Sequence, residues 1–357
     1  MSDDGKGGSA SRKIKWLGGI VVVAIALYSG GWLYLASRID TTATQVIANA
    51  EANGTRIGCA GRDVRGYPFR LGLHCETTAI ATPDGVAIEA GAFRSAAQVY
   101  EPDRVISELD GPVRWSVPGA AGTAEWDTAR ASTRFGAGGL RLGTLEVRDV
   151  TFEATPQGAT PVSGVLDRAL ASVRPNGADL DVALDVEALD LAPIAGRDAP
   201  SATLALDASV SNAAEALAGR SLETLRGRTI TLRNLGLALS GGGRVQTSGS
   251  IDVDQDGLAN GELEVGLSDP AATVAALSGL FPEATGLIQT IGGAFGGGTG
   301  GAGGLLAGFL GGGSEPDATA EAKPEAEPSE LRTVTITLTG GRARVGFIPL
   351  GNVPALP

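Results

Sequence analysis

Residues 16–37, WLGGIVVVAIALYSGGWLYLAS, carry no charge. As a helix rising about 1.5 Å per residue, such a run spans roughly 33 Å, enough to cross a hydrocarbon core of about 30 Å. Trp16 stands at one end, and Trp32 and Tyr34 near the other, where aromatic rings favour the membrane interface. Lys6, Arg12, Lys13 and Lys15 precede the run, against Asp3 and Asp4. The bias of basic residues predicts a retained single-pass anchor with residues 1–15 as a cytoplasmic basic tail and everything after 37 on the far side. A cleaved signal peptide is the competing reading. Its apolar core would be shorter, and Tyr34-Leu35-Ala36 is a poor cleavage site.

The part beyond the anchor is acidic. The chain carries a formal net charge of −12, and apart from Lys323 every lysine lies in the tail. Scattered arginines on an acidic background exclude nucleic-acid binding, which needs clustered positive charge to neutralise phosphates. The same balance disfavours lying flat on anionic headgroups.

Residues 38–54 read as a helical stalk closed by Gly54. The period then changes to two. Along 179–187, Leu180, Val182, Leu184 and Val186 fall on one face and Asp181, Asp185 and Glu187 on the other. Similar alternation marks Leu204/Leu206, Ile230/Leu232, Leu237/Leu239, Ile251/Val253, Leu263/Val265/Leu267, Val334/Ile336/Leu338 and Val345/Phe347. Turn sequences such as Pro83-Asp84-Gly85, Pro175-Asn176-Gly177 and Asp256-Gly257 separate the runs, which predicts antiparallel neighbours. Helices are expected only over 212–225 and 270–280. The fold expected is mainly β: an N-terminal transmembrane helix plus a curved antiparallel sheet, either an open groove or a sandwich, with few short helices. A β-rich domain over 55–285 is followed by a disordered linker over 286–330, first glycine-rich and then acidic and proline-rich. A C-terminal hairpin over 331–357 completes the sheet.

Few residues suggest chemistry. Cys59 and Cys75 flank Tyr67 symmetrically, so a hairpin turning there sets them opposite one another, and an exported domain is oxidising. A structural disulfide is expected over a redox pair, which favours C-x-x-C, or a metal site, which needs more ligands. Asp252, Asp254 and Asp256 open a D-x-D-x-D-G stretch like a calcium loop, but Leu263 stands where the bidentate acid belongs. The plainer reading is a β-turn with outward acids, and no metal or other cofactor is expected. His74 is the sole histidine, beside a cysteine expected to be oxidised, so no nucleophile has a base and no enzyme is expected.

Three stretches resemble a family. Gly66-Tyr67-Pro68-Phe69-Arg70 with Cys75 resembles the G-[FY]-P-F-R…C signature of the uncharacterised DUF2125 proteins of alphaproteobacteria. Gln98-Val99-Tyr100-Glu101-Pro102 with Gly111-Pro112, and the closing 344–351 with Pro354, resemble its further blocks. The resemblance implies an uncharacterised, membrane-anchored β-rich protein of the bacterial inner membrane, with its main domain periplasmic, and supplies no activity. At fold level the chain is also similar to the AsmA/TamB type, whose curved sheets cradle acyl chains. A first functional reading is therefore a lipid-handling protein of envelope maintenance, with Leu180, Val182, Leu184 and Val186 lining an acyl groove. The alternative is a structural or scaffolding partner in an envelope complex, with the apolar face closed as a core.

Overall fold

The computed structural model describes residues 7–191, 200–218, 225–269, 273–275 and 331–356, with backbone only for 7–12. The linker expected over 286–330 lies outside these residues, as do 219–224 and all but 273–275 of the helix expected over 270–280. A 3-10 turn, Ala214–Ala218, occupies the first of the two predicted helical stretches. The chain is mainly β with one long helix, and it divides into two compact units, Met1–Pro118 and Gly119–Pro357.

In the first unit the predicted anchor and stalk are one uninterrupted helix, α1, Gly7–Ala52. From Lys13 onward it is long and apolar enough to cross a membrane. Threonines along the stalk return their hydroxyls to the helix itself: Thr41, Thr42 and Thr44 donate to the carbonyls of Ser37, Arg38 and Asp40. The helix stops where a residue with positive φ is needed. Gly54 has φ 81°, and Thr55 N donates to Ala50 O at 2.9 Å.

Eight short strands follow: β1 Arg56–Ala60, β2 Asp63–Arg65, β3 Arg70–Cys75, β4 Thr77–Ala81, β5 Ala87–Ala90, β6 Phe93–Gln98, β7 Glu101–Leu109 and β8 Val113–Val117. β1 and β2 pair with β4 and β3 in one continuous register, from Arg56↔Ala81 through Ala60↔Thr77 and Asp63↔His74 to Arg65↔Gly72. This single hairpin feeds two arrays. Its base adds β5 and then β8 beside β4; its tip adds β6 and then β7 beside β3. At the changeover, Gly61 takes φ 60° against Glu76, and the Cys59–Cys75 disulfide joins β1 to β3.

The cysteines differ from the expected arrangement in one respect. The register centres the turn between Pro68 and Phe69, so Cys59 faces Thr78 rather than Cys75. The bridge runs diagonally, with Cα atoms 5.1 Å apart, and ties the two arrays where the hairpin passes from one to the other.

The second unit is an antiparallel meander of β9 Ala120–Glu125, β10 Thr128–Gly136, β11 Gly139–Pro156, β12 Val162–Asn176, β13 Asp179–Leu191, β14 Ala202–Val210, β15 Thr229–Leu239, β16 Arg244–Val253, β17 Ala259–Ser268, β18 Arg332–Thr339, β19 Arg342–Val345 and β20 Ile348–Asn352. β9 and β10 share one edge of the long β11, and each later strand pairs with the next, β17 with β18 included. The sheet stays open.

Register turns the period-two pattern into a two-faced surface. Leu145, Ala171, Leu184, Leu206 and Leu235 are successive cross-strand partners from β11 to β15, and Val147, Ala169, Val186, Leu204 and Leu237 form the next row. The opposite face carries charge ladders. Glu146 on β11 accepts from Arg148 and from Arg168 of β12, and Arg168 also reaches Glu187 of β13.

Candidate functional site

Within the first unit, α1 and both sheet arrays enclose a half-open cavity of ≈ 930 Å³. The helix contributes Leu35, Ile39, Thr42, Ala43, Val46 and Ile47, positions that recur every three or four residues and so share one face. The base array contributes Ile57, Cys59, Thr78, Ile80, Ile88 and Ala90, cross-strand partners on β1, β4 and β5. The tip array contributes Leu71, Leu73 and Cys75 of β3, Phe93, Ser95 and Ala97 of β6, and Val105 and Leu109 of β7.

Helix and sheet present apolar faces to one another without closing on them. Val46 lines the cavity yet remains 55% exposed. In a packed helix-on-sheet core these side chains would interdigitate and leave few voids larger than a water molecule. The volume lies near the upper end of ligand sites in general, about 300–1,000 Å³.

The polar groups on the walls are mostly turned to the protein. Ser95 Oγ accepts from Leu73 N at 2.9 Å and lies 3.2 Å from Leu73 O, Thr42 donates to Arg38 O, and Thr78 to Gly91 O. Arg62 donates to Asp40 at 2.9 Å and to Thr44 at 2.8 Å, tying the hairpin to the helix. Arg38 differs. It is exposed, and its guanidinium has no protein partner among the described residues. It is also the first charge after the apolar run. The cavity thus offers an aliphatic interior and one uncommitted cation.

The residues singled out from sequence lie in two places. Cys59 and Cys75 are in the cavity wall. Leu180, Val182, Leu184 and Val186 share the apolar face of β13 in the second unit, Leu180 buried and the others half-buried. On the opposite face of that strand Asp181 is only 5% exposed. It accepts from Arg174 of β12 and Arg233 of β15, each at 3.2 Å. Burial raises its pKa, but a hydrogen bond from Ser209, the Arg174 contact and the charge of Arg233 together outweigh burial and hold the carboxyl below its ordinary value.

Asp252, Asp254 and Asp256 bracket the β16–β17 turn. Asp254 Oδ1 accepts the backbone N–H groups of Asp256 at 2.9 Å and Leu258 at 2.8 Å, and Asp252 accepts from Thr229 at 2.6 Å. Asp254 is therefore engaged in shaping the turn, and Asp252 in joining β16 to β15. Among the described residues, no group of three or more His, Cys, Asp or Glu side chains is placed to hold a metal ion.

The helical side of the cavity was readable as an i, i+4, i+7, i+8, i+11, i+12 pattern beginning at Leu35. Reading 38–54 only as a stalk passed over it.

No curated protein and no solved structure matches this chain. A family model described as "Uncharacterized protein conserved in bacteria (DUF2125)" matches residues 32–354, so the match takes in the last turns of the apolar helix, both units and the closing strands. The chain therefore belongs to the DUF2125 family.

Proposed function

We propose that the protein is a non-enzymatic lipid-binding protein, held in the bacterial inner membrane by α1, with its β-rich units on the periplasmic side and an acyl chain in the helix–sheet cavity. The observation that carries this reading is the cavity itself: its helical wall, from Leu35 to Ile47, directly continues a stretch long and apolar enough to cross a membrane. A lipid leaving the bilayer along α1 would meet aliphatic side chains at once, each buried methylene contributing about 0.8 kcal/mol. Arg38 supplies a partner for a headgroup phosphate. The half-buried aliphatic rows of the second unit favour a second reading, in which that face receives a protein partner in an envelope complex.

The test uses the full chain extracted in mild detergent. Bound lipid is identified by mass spectrometry, then stripped, and phospholipid is added back. The expected results are a phospholipid retained through purification, a lower melting temperature on stripping, and its recovery on titration. Absence of bound lipid, with a melting temperature indifferent to added phospholipid, would overturn the proposal. Orientation is read separately: a reporter fused after Pro357 should be active only in an oxidising, extracytoplasmic compartment.

A further inference from the structure

The GYPFR stretch has a place in the structure that the cavity does not account for. Gly66–Arg70 is the tip of the β2–β3 hairpin, and it lies against α1 well inside the charge-free run. Tyr28 Oη donates to Pro68 O, and Trp32 Nε1 donates to Arg70 O at 2.9 Å. Ser29 Oγ and Tyr67 Oη are 2.9 Å apart, and the Trp32 and Tyr67 rings meet edge to face with centroids 5.5 Å apart.

The position of these contacts along the helix is informative. Lys15 bounds the apolar run on one side and Arg38 on the other. About 20 residues span the hydrocarbon core. Counted from Trp16, they reach Leu35. Tyr28 and Trp32 lie below that limit, roughly 15 and 9 Å short of Arg38 at about 1.5 Å per residue. Shifting the helix to lift them clear would draw Lys13 and Lys15 into the core.

The tip is built for such a place. Apart from Arg70, its side chains are apolar or aromatic: Phe69 is 68% exposed, and on the adjoining β6–β7 turn Tyr100, next to Glu101, is 77% exposed. Val99 N donates to Phe69 O at 3.1 Å, so the two turns form one surface. Four of its five carbonyls are paired as well. Gly66 O accepts from Arg70 N, Pro68 O from Tyr28, Phe69 O from Val99, and Arg70 O from Trp32. Non-helical backbone survives at membrane depth only when its polar groups are so satisfied. In turn the tip takes up the polar groups of Tyr28, Ser29 and Trp32.

We propose that the two turns around Phe69 and Tyr100 are inserted into the outer leaflet beside α1, as a second membrane contact of the first unit. Arg70 at the end of the tip reaches back toward the headgroups. The proposal rests on α1 being a retained anchor, not on the cavity being filled.

Site-specific photocrosslinking in the full-length protein tests it. A benzophenone amino acid replaces Phe69, Tyr100 or, as a control, Asp84. Asp84 sits on the β4–β5 turn beside Gly54, about 36 Å along the helix from Tyr28. The protein is placed in vesicles of phosphatidylethanolamine and phosphatidylglycerol. Lipid adducts at 69 and 100, at least ten-fold above those at 84, are the expected result. Adducts only to protein, no adduct, or equal labelling at all three positions would overturn the insertion. Alkaline extraction is run in parallel. Release of the protein would remove the anchor itself, whereas retention without lipid adducts at 69 and 100 would refute the tip alone.

Discussion

The two units bury aliphatic side chains in different ways. In the first, short strands are covered by a helix that stands off and leaves a cavity of ≈ 930 Å³. In the second, strands of up to 18 residues present rows such as Leu145, Ala171, Leu184, Leu206 and Leu235, most of them half-buried. A long regular ladder gives stability through repetition, because each strand pairs with two neighbours. It does not by itself make an enclosed site. The first unit has little ladder, and it depends instead on a disulfide, the Arg62–Asp40 tie and the bidentate Arg94–Asp110 pair at 2.7 and 2.5 Å. Enclosure comes from joining unlike elements.

This contrast predicts where mutations act. The largest effect is expected from Cys59→Ser. Its bridge closes a sequence separation of 16 residues. Losing it should lower stability by about 3 kcal/mol on the chain-entropy scale. The loss should fall on the first unit, and hydrogen exchange that quickens in β1–β4 while β11–β17 stay protected would show it. Equal loosening of both units would break the contrast.

Leu184→Gln should be milder. The side chain is half-buried and not sealed in a core, so about 1–2 kcal/mol is expected in urea denaturation, with the fold retained. A larger loss would mean that the aliphatic rows of the second unit are a closed core.

Asp181→Asn should cost about 1 kcal/mol, since both arginine partners are partly exposed. The sign of its pH dependence follows from its depressed pKa. The contribution is complete above the ordinary carboxylate value of 3.8 and is lost as pH falls below it toward the lower native value. Acid titration of stability should therefore be shallower in the variant than in the parent. Identical acid limbs would show that Asp181 contributes nothing.

Much of the second unit was legible because its strands are long. Leu180 to Val186 alternate with Asp181, Asp185 and Glu187 over enough residues to fix the period, and β13 is where they fall. The long apolar helix was legible for the same reason, as an uninterrupted run, and the closeness of the two cysteines followed from their spacing about a turn. What escaped was the register. The turn is set by Arg70 N donating to Gly66 O, which displaces the hairpin centre from Tyr67 and makes the bridge diagonal. The cavity escaped as well. Its strands are three to nine residues long and mix Ala, Gly, Ser and Thr with Ile and Leu, too short a sample to show a face. The helical stripe is weakened as an apolar pattern by Thr42 and Ala43 among its members, though its spacing from Leu35 is regular.

The proposed function requires an acyl chain in the cavity of the first unit. Native mass spectrometry of the parent, Ala43→Trp and Leu184→Gln proteins tests it most directly. Ala43 sits on the cavity wall, where an indole would occupy the space meant for lipid. The expected result is a phospholipid adduct on the parent and on Leu184→Gln, and at least a ten-fold loss on Ala43→Trp, whose melting temperature should match that of the lipid-stripped parent. An adduct that survives Ala43→Trp but disappears with Leu184→Gln would contradict the claim and move the site to the open sheet.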